Sequence, residues 1–206
     1  WLCSADARGE IITFRFEGTL QDVRSRGLPP FELGEWPAVG SRIAGTYRFD
    51  SNAEDLSADP TRGLFRTPGP SGGIDVAIGL FLWKAEGTSI GTLGNMVPMV
   101  DIYEVGDAMG MSLTSHPPVS MDIGLSFFSL LIEGDGNLLQ QPLPAFPPPL
   151  DGAFKRSISI LIDSLPGQGT NDRRLQLVGS LDALLRVPEP HSLLLLAVGG
   201  AVFIWR

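Results

Sequence analysis

From Ile12 onward, apolar side chains recur at every second position. Ile12, Phe14, Phe16 and Leu20 alternate with Thr13, Arg15, Glu17 and Thr19. The rhythm returns at Ile43, Gly45, Tyr47 and Phe49, and again at Ile74, Val76, Ile78 and Leu80, running on into Phe81-Leu82-Trp83. It is repeated in 99–105, 121–132, 157–162 and 175–185. Successive side chains of an extended chain point to opposite faces, so this period describes strands with one face buried. A helix would need apolar positions three and four apart, bounded by caps, and 8–186 contains no sustained run of that kind. Pro29-Pro30, Pro68-Gly69-Pro70, Gly72-Gly73, Gly134-Asp135-Gly136-Asn137 and Pro147-Pro148-Pro149 separate the strands with turn chemistry. Short strands without intervening helices predict an all-β fold, an antiparallel β-sandwich of about seven to nine strands over 8–186. Residues 50–63 read as an acidic loop and 141–151 as a proline-rich one, which cannot enter a sheet interior.

Composition narrows the function classes. Hydrophobic residues make up 43% of the 206, enough to build a core. The formal charge is −8 and the only lysines are Lys84 and Lys155, so no basic run exists to neutralise successive phosphates. Nucleic acid is therefore not an expected partner. At the other end of the chain, Ala5-Asp6-Ala7 has the small-x-small form of a signal-peptide cleavage site. Residues 1–7 read as a signal-peptide remnant, with the mature chain starting near Arg8. The single cysteine, Cys3, falls in that remnant, which leaves neither disulfides nor thiolate metal ligands.

Catalytic and metal-binding patterns are sparse. Gly87-Thr88-Ser89-Ile90-Gly91 fits G-x-S-x-G, and Asp101 or Asp107 followed by His116 would supply the chain order of an α/β-hydrolase. A nucleophile elbow needs a helix straight after its serine, and Gly91, Gly94 and Pro98 oppose one, so a glycine-rich hairpin is the better reading. Asp50, Asn52, Glu54, Asp55 and Asp59 could offer oxygen ligands to Ca²⁺, but their spacing follows no defined calcium loop and a solvated turn is favoured. Trp36, Tyr47, Trp83 and Tyr103 are the aromatics a sugar-binding face would use, though core or rim positions account for most of them. No cofactor-binding motif is present. A non-enzymatic body is the expectation, with a carbohydrate-binding module as the alternative and a secreted hydrolase as a more distant one.

The composition changes abruptly at Val187-Pro188-Glu189-Pro190. After His191 and Ser192 come Leu193, Leu194, Leu195, Leu196, Ala197, Val198, Gly199, Gly200, Ala201, Val202, Phe203, Ile204 and Trp205, all uncharged, and then Arg206. The prolines block continuation of the preceding strand, and Ser192 can cap a helix starting at the leucines. Apolar on all sides, such a helix suits lipid better than a half-buried protein face. At ~1.5 Å per residue the thirteen uncharged residues span about 20 Å, short of a ~30 Å hydrocarbon core, so the anchor is expected to recruit most of 187–206. Trp205 would sit at the interface and Arg206 on the cytoplasmic side.

This arrangement of Val187-Pro188-Glu189-Pro190, Ser192, an apolar run and a basic residue resembles the PEP-CTERM sorting signal of Gram-negative bacteria. The segments 11–20, 45–51 and 101–105 are also similar to bodies that carry such tails. The resemblance implies a route: export by a signal peptide, arrest in the inner membrane by the tail, and processing near Pro188-Glu189-Pro190 by exosortase, a membrane protease-transpeptidase. It further implies a destination at the cell surface or in the extracellular matrix of exopolysaccharide-producing, biofilm-forming cells. A proline-rich segment has no ladder partners and can enter a protease groove, while the Glu189 charge keeps the junction out of hydrocarbon.

Overall fold

In a computed structural model, residues 9–27, 34–59, 62–93, 101–107, 111–115, 123–134, 150–164 and 174–188 are described. They form eleven strands and no helix: β1 (Ile11–Arg26), β2 (Arg42–Asp50), β3 (Arg62–Thr67), β4 (Gly73–Ile78), β5 (Phe81–Glu86), β6 (Thr88–Leu93), β7 (Asp101–Asp107), β8 (Ser112–Ser115), β9 (Ile123–Gly134), β10 (Ala153–Ser164) and β11 (Arg174–Arg186). All pair antiparallel in one sheet, in the order β3-β6-β7-β9-β10-β11-β1-β2-β4-β5-β8.

The all-β antiparallel layout expected from the alternation is what the chain adopts. Its two packed layers come from one sheet that curls into a half-barrel, and the described residues form eleven strands where seven to nine were expected. Length is the physical reason. A long strand can serve both layers if it bends, and β1 is sixteen residues with register shifts at Glu17/Gly18 and Leu20/Asp22. The curl brings the β8 side back onto β9, where Met111 and Ser126 exchange backbone hydrogen bonds of 2.6 and 3.2 Å. The β7-β6-β3 side folds over β2: Thr88 Oγ1 donates to the Arg48 carbonyl at 2.8 Å, and the Asp50 N–H donates to Thr67 Oγ1 at 3.1 Å.

The inward residues fill the space between the layers. Phe14, Phe16, Leu20, Tyr47, Val76, Trp83, Tyr103, Leu130 and Ile160 are fully buried. Phe14 packs on Tyr47 and Phe49, Phe16 meets Phe128 from the opposite wall, and Trp36, Phe81 and Trp83 stack in a column. Burying each such side chain is worth about 1.5–3 kcal/mol. The apolar run 74–83, read from sequence as one face, is instead two strands turning at Gly79-Leu80. Gly79 has φ +58°, a left-handed conformation that glycine adopts without penalty.

The sorting junction and the candidate sites of the body

The end of β11 is held down before the tail begins. Leu181 and Leu184 are buried, and Arg186 lies opposite Phe14 in the ladder with β1. The Arg186 guanidinium pairs with the Glu10 carboxylate. One further rung follows, in which the Val187 N–H donates to the Thr13 carbonyl at 2.8 Å. Pro188 has no N–H to offer, so the ladder stops there for a covalent reason. Val187 and Pro188 are both exposed. Glu189, Pro190 and the predicted anchor over Leu193–Arg206 lie outside the described residues, as do residues 1–7. Among the described residues no helix is long and apolar enough to cross a membrane.

The grip on this junction comes from Glu10 and Thr13, neither of which the sequence singles out. Thr13 contributes only its backbone carbonyl, which carries no residue signature. Glu10 acts across 176 positions of sequence.

Ser89 sits inside β6, opposite Arg66 on one side and Gly106 on the other, and its Oγ donates to the Gly106 carbonyl at 3.4 Å. Gly87, at φ +94°, is thus a single-residue step from β5 into β6, which pairs with β3 and β7 and not with β5, and 88–91 run on as strand and not as the helix of a nucleophile elbow. Asp101 and Asp107 occupy the two ends of β7, and His116 lies outside the described residues.

The acidic residues of the 50–63 segment are spread along a turn structure. Asp50 ends β2, and its Oδ1 accepts the Asn52 N–H at 2.8 Å. Asp55 Oδ1 accepts the N–H groups of Ser57 and Leu64, both at 2.9 Å, and Asp55 bridges to Phe65. Asp59 pairs with Arg62 at 3.5 Å, and Glu54 is exposed. The expected loop therefore ends earlier than its composition suggested, because Arg62 and Gly63 already belong to β3. Among the described residues no group of three or more His, Cys, Asp or Glu is placed to hold a metal ion.

Trp36, Tyr47, Trp83 and Tyr103 are all buried, which removes them from any sugar-binding face. The two tyrosine hydroxyls meet at 2.9 Å between the layers, and burial pushes both phenols above their ordinary range. On the outer face, the Glu17 carboxylate accepts hydrogen bonds from Arg15 and Arg42, which hold its pKa below the usual value. Beside it a shallow depression of about 300 Å³ is floored by Ala44, Gly45 and Ala77 and rimmed by Arg15, Asp75 and Leu82. A smaller one, of about 230 Å³, lies between Asp50, Arg66, Thr67 and Ser71.

No curated protein and no solved structure matches the chain. The family model of the PEP-CTERM protein-sorting motif matches residues 186–206. That span opens on the last residue of β11, so the folded body and the matched segment share a boundary at Arg186. The chain carries the PEP-CTERM protein-sorting motif on an all-β body, which marks it as an exosortase-targeted, exported protein.

Proposed function

We propose that this chain is a non-catalytic surface or extracellular-matrix protein with a structural or adhesive role in exopolysaccharide or biofilm. In this reading residues 187–206 halt the exported chain in the inner membrane, and exosortase then processes it near Val187, Pro188, Glu189 and Pro190. The observation that carries the proposal is the shared boundary: the motif starts where the last strand ends, so the body can be complete and folded while the motif is read. Support for a body without catalysis comes from how its polar groups are used. Ser89 is tied into a strand, and Asp50, Asp55, Glu17 and Asp75 are engaged in turns or ion pairs.

Fractionation with intact-mass measurement tests the route. The unaltered chain should reach the surface or matrix fraction shorn of Leu193–Trp205. A variant carrying Pro188→Ala, Glu189→Gln and Pro190→Ala should stay in the membrane at full mass. Equal masses and equal distribution for the two chains would defeat the proposal.

Binding to matrix polysaccharide is the finer alternative. With the four candidate aromatics buried, it would depend on polar and charged groups such as those around the 300 Å³ depression. A glycan array probed with the body and with Arg15→Ala tests it: binding that persists unchanged in the variant excludes that face.

A further inference from the structure

The geometry points to a membrane-facing end of the barrel: we infer that, while the tail is in the bilayer, Phe154, Leu185 and Val187 rest on the lipid headgroup surface. The inference depends on the tail entering lipid, as proposed above, and adds an orientation and a contact surface to it. Because β11 stays paired through Val187, only five residues, 188–192, separate the last rung from the first leucine of the apolar run. Six residue steps reach at most about 20 Å. The headgroup layer takes up roughly 5–7 Å of that. β11, with thirteen residues, is about 43 Å long at ~3.3 Å per residue. The tether therefore cannot run back along the body, and the end of the sheet carrying Arg186 must face the membrane.

Antiparallel pairing decides which residues share that end. The start of β10 neighbours the end of β11, the start of β1 lies opposite Arg186, and the ends of β9 and β2 complete the rim. Two large apolar side chains stand out there, Phe154 at 63% and Leu185 at 62% exposure, with Val187 at 38%. Aromatic and aliphatic side chains gain free energy by entering the boundary between headgroups and acyl chains. Cations flank them: Arg15 lies opposite Leu185, Lys155 follows Phe154, and Arg186 sits between Leu185 and Val187. Long basic side chains in this setting bury their stems and reach headgroup phosphates. Each also holds a carboxylate, Glu17, Glu133 and Glu10 respectively, so these three pairs place no net negative charge beside Phe154, Leu185 and Val187.

Site-directed spin labelling of the full chain tests this, in a Cys3→Ser background. Labels go at Phe154→Cys and Leu185→Cys, and at Leu80→Cys as a control in the β4–β5 turn, which is 77% exposed at the opposite end. The chain is reconstituted into vesicles of phosphatidylethanolamine and phosphatidylglycerol. Accessibility to oxygen relative to a water-soluble nickel chelate should be several-fold higher at 154 and 185 than at 80. Inserting ten Gly/Ser residues between Val187 and Pro188 should shrink that contrast without changing recovery in the vesicle fraction. Equal ratios at both ends, in a chain that still floats with vesicles, would overturn the docking alone. Dipolar broadening between labels at 154 without any gain in oxygen access would overturn it in favour of a second copy. A chain that does not float at all would instead remove the membrane reading on which the docking rests.

Discussion

Single residues in this body act mainly by what they leave unpaired when changed. The Tyr47–Tyr103 hydroxyl pair is fully buried between the layers, and removing one partner leaves the other unsatisfied. Such a loss costs about 1–3 kcal/mol, whereas removing both can be nearly neutral. Urea unfolding should therefore show Tyr47→Phe and Tyr103→Phe each destabilising, with the double variant costing less than the sum. The same pair sets a pH limit. Both phenols are raised in the folded state, so their contribution is intact below the unfolded tyrosine pKa of about 10 and is lost as pH climbs above it. Stability should fall above about pH 10 by up to ~1.4 kcal/mol per pH unit for each tyrosine, and the double Phe variant should lose this dependence. At Gly45 the constraint is steric: a Cβ there would overlap the Asp75 carbonyl oxygen and the Phe16 ring. Overpacking of this kind costs about 1–3 kcal/mol, so Gly45→Ala should lower the urea midpoint. These roles are almost invisible in sequence, because Tyr47 and Tyr103 read equally well as rim or ligand-binding aromatics until the fold faces them together.

At the scale of strands, the hairpins follow the local pattern, and the joins between layers do not. Thr88 at the start of β6 accepts the Gly73 N–H at 2.8 Å and donates to the Arg48 carbonyl, tying β6 to the β2–β4 pair. Thr88→Val keeps the shape but strands both backbone groups in a buried site, and hydrogen exchange should show β4 opening more readily, with a loss of about 1–3 kcal/mol. β3 escaped the sequence reading because its inward positions are Gly63, Phe65 and Thr67, only one of them a large hydrophobe. The β4–β5 turn escaped for the opposite reason: apolar residues run on through Leu80, and only Gly79 signals the reversal. By contrast β1, β2, β10 and β11 were legible, since each carries strong alternation over many residues.

For the molecule as a whole, β11 is the keystone, because it lies between β1 and β10 and so joins the two ends of the sequence. Leu175, Leu177, Leu181 and Leu184 are buried along it. At about 1.5–3 kcal/mol each they contribute roughly 6–12 kcal/mol, comparable to a whole domain's net stability of about 5–15 kcal/mol. A chain stopped before Arg174 should not fold, and near-ultraviolet dichroism should show no fixed aromatic environment. One stopped after Val187 should fold with the body intact. It follows that the sorting motif emerges only once the last structural strand is complete, and that the body is closed by the same residues that lead into the tail.

The amino-acid sequence by itself determined the all-β class and the sorting motif, because alternation and a proline-bounded apolar run are local signals carried by consecutive residues. The curl of one sheet into two layers, the burial of the four aromatics, and the Glu10 and Thr13 hold on the junction were decided only by tertiary structure. Each of these joins residues far apart in the chain, and a contact of that kind depends on where the whole sheet bends.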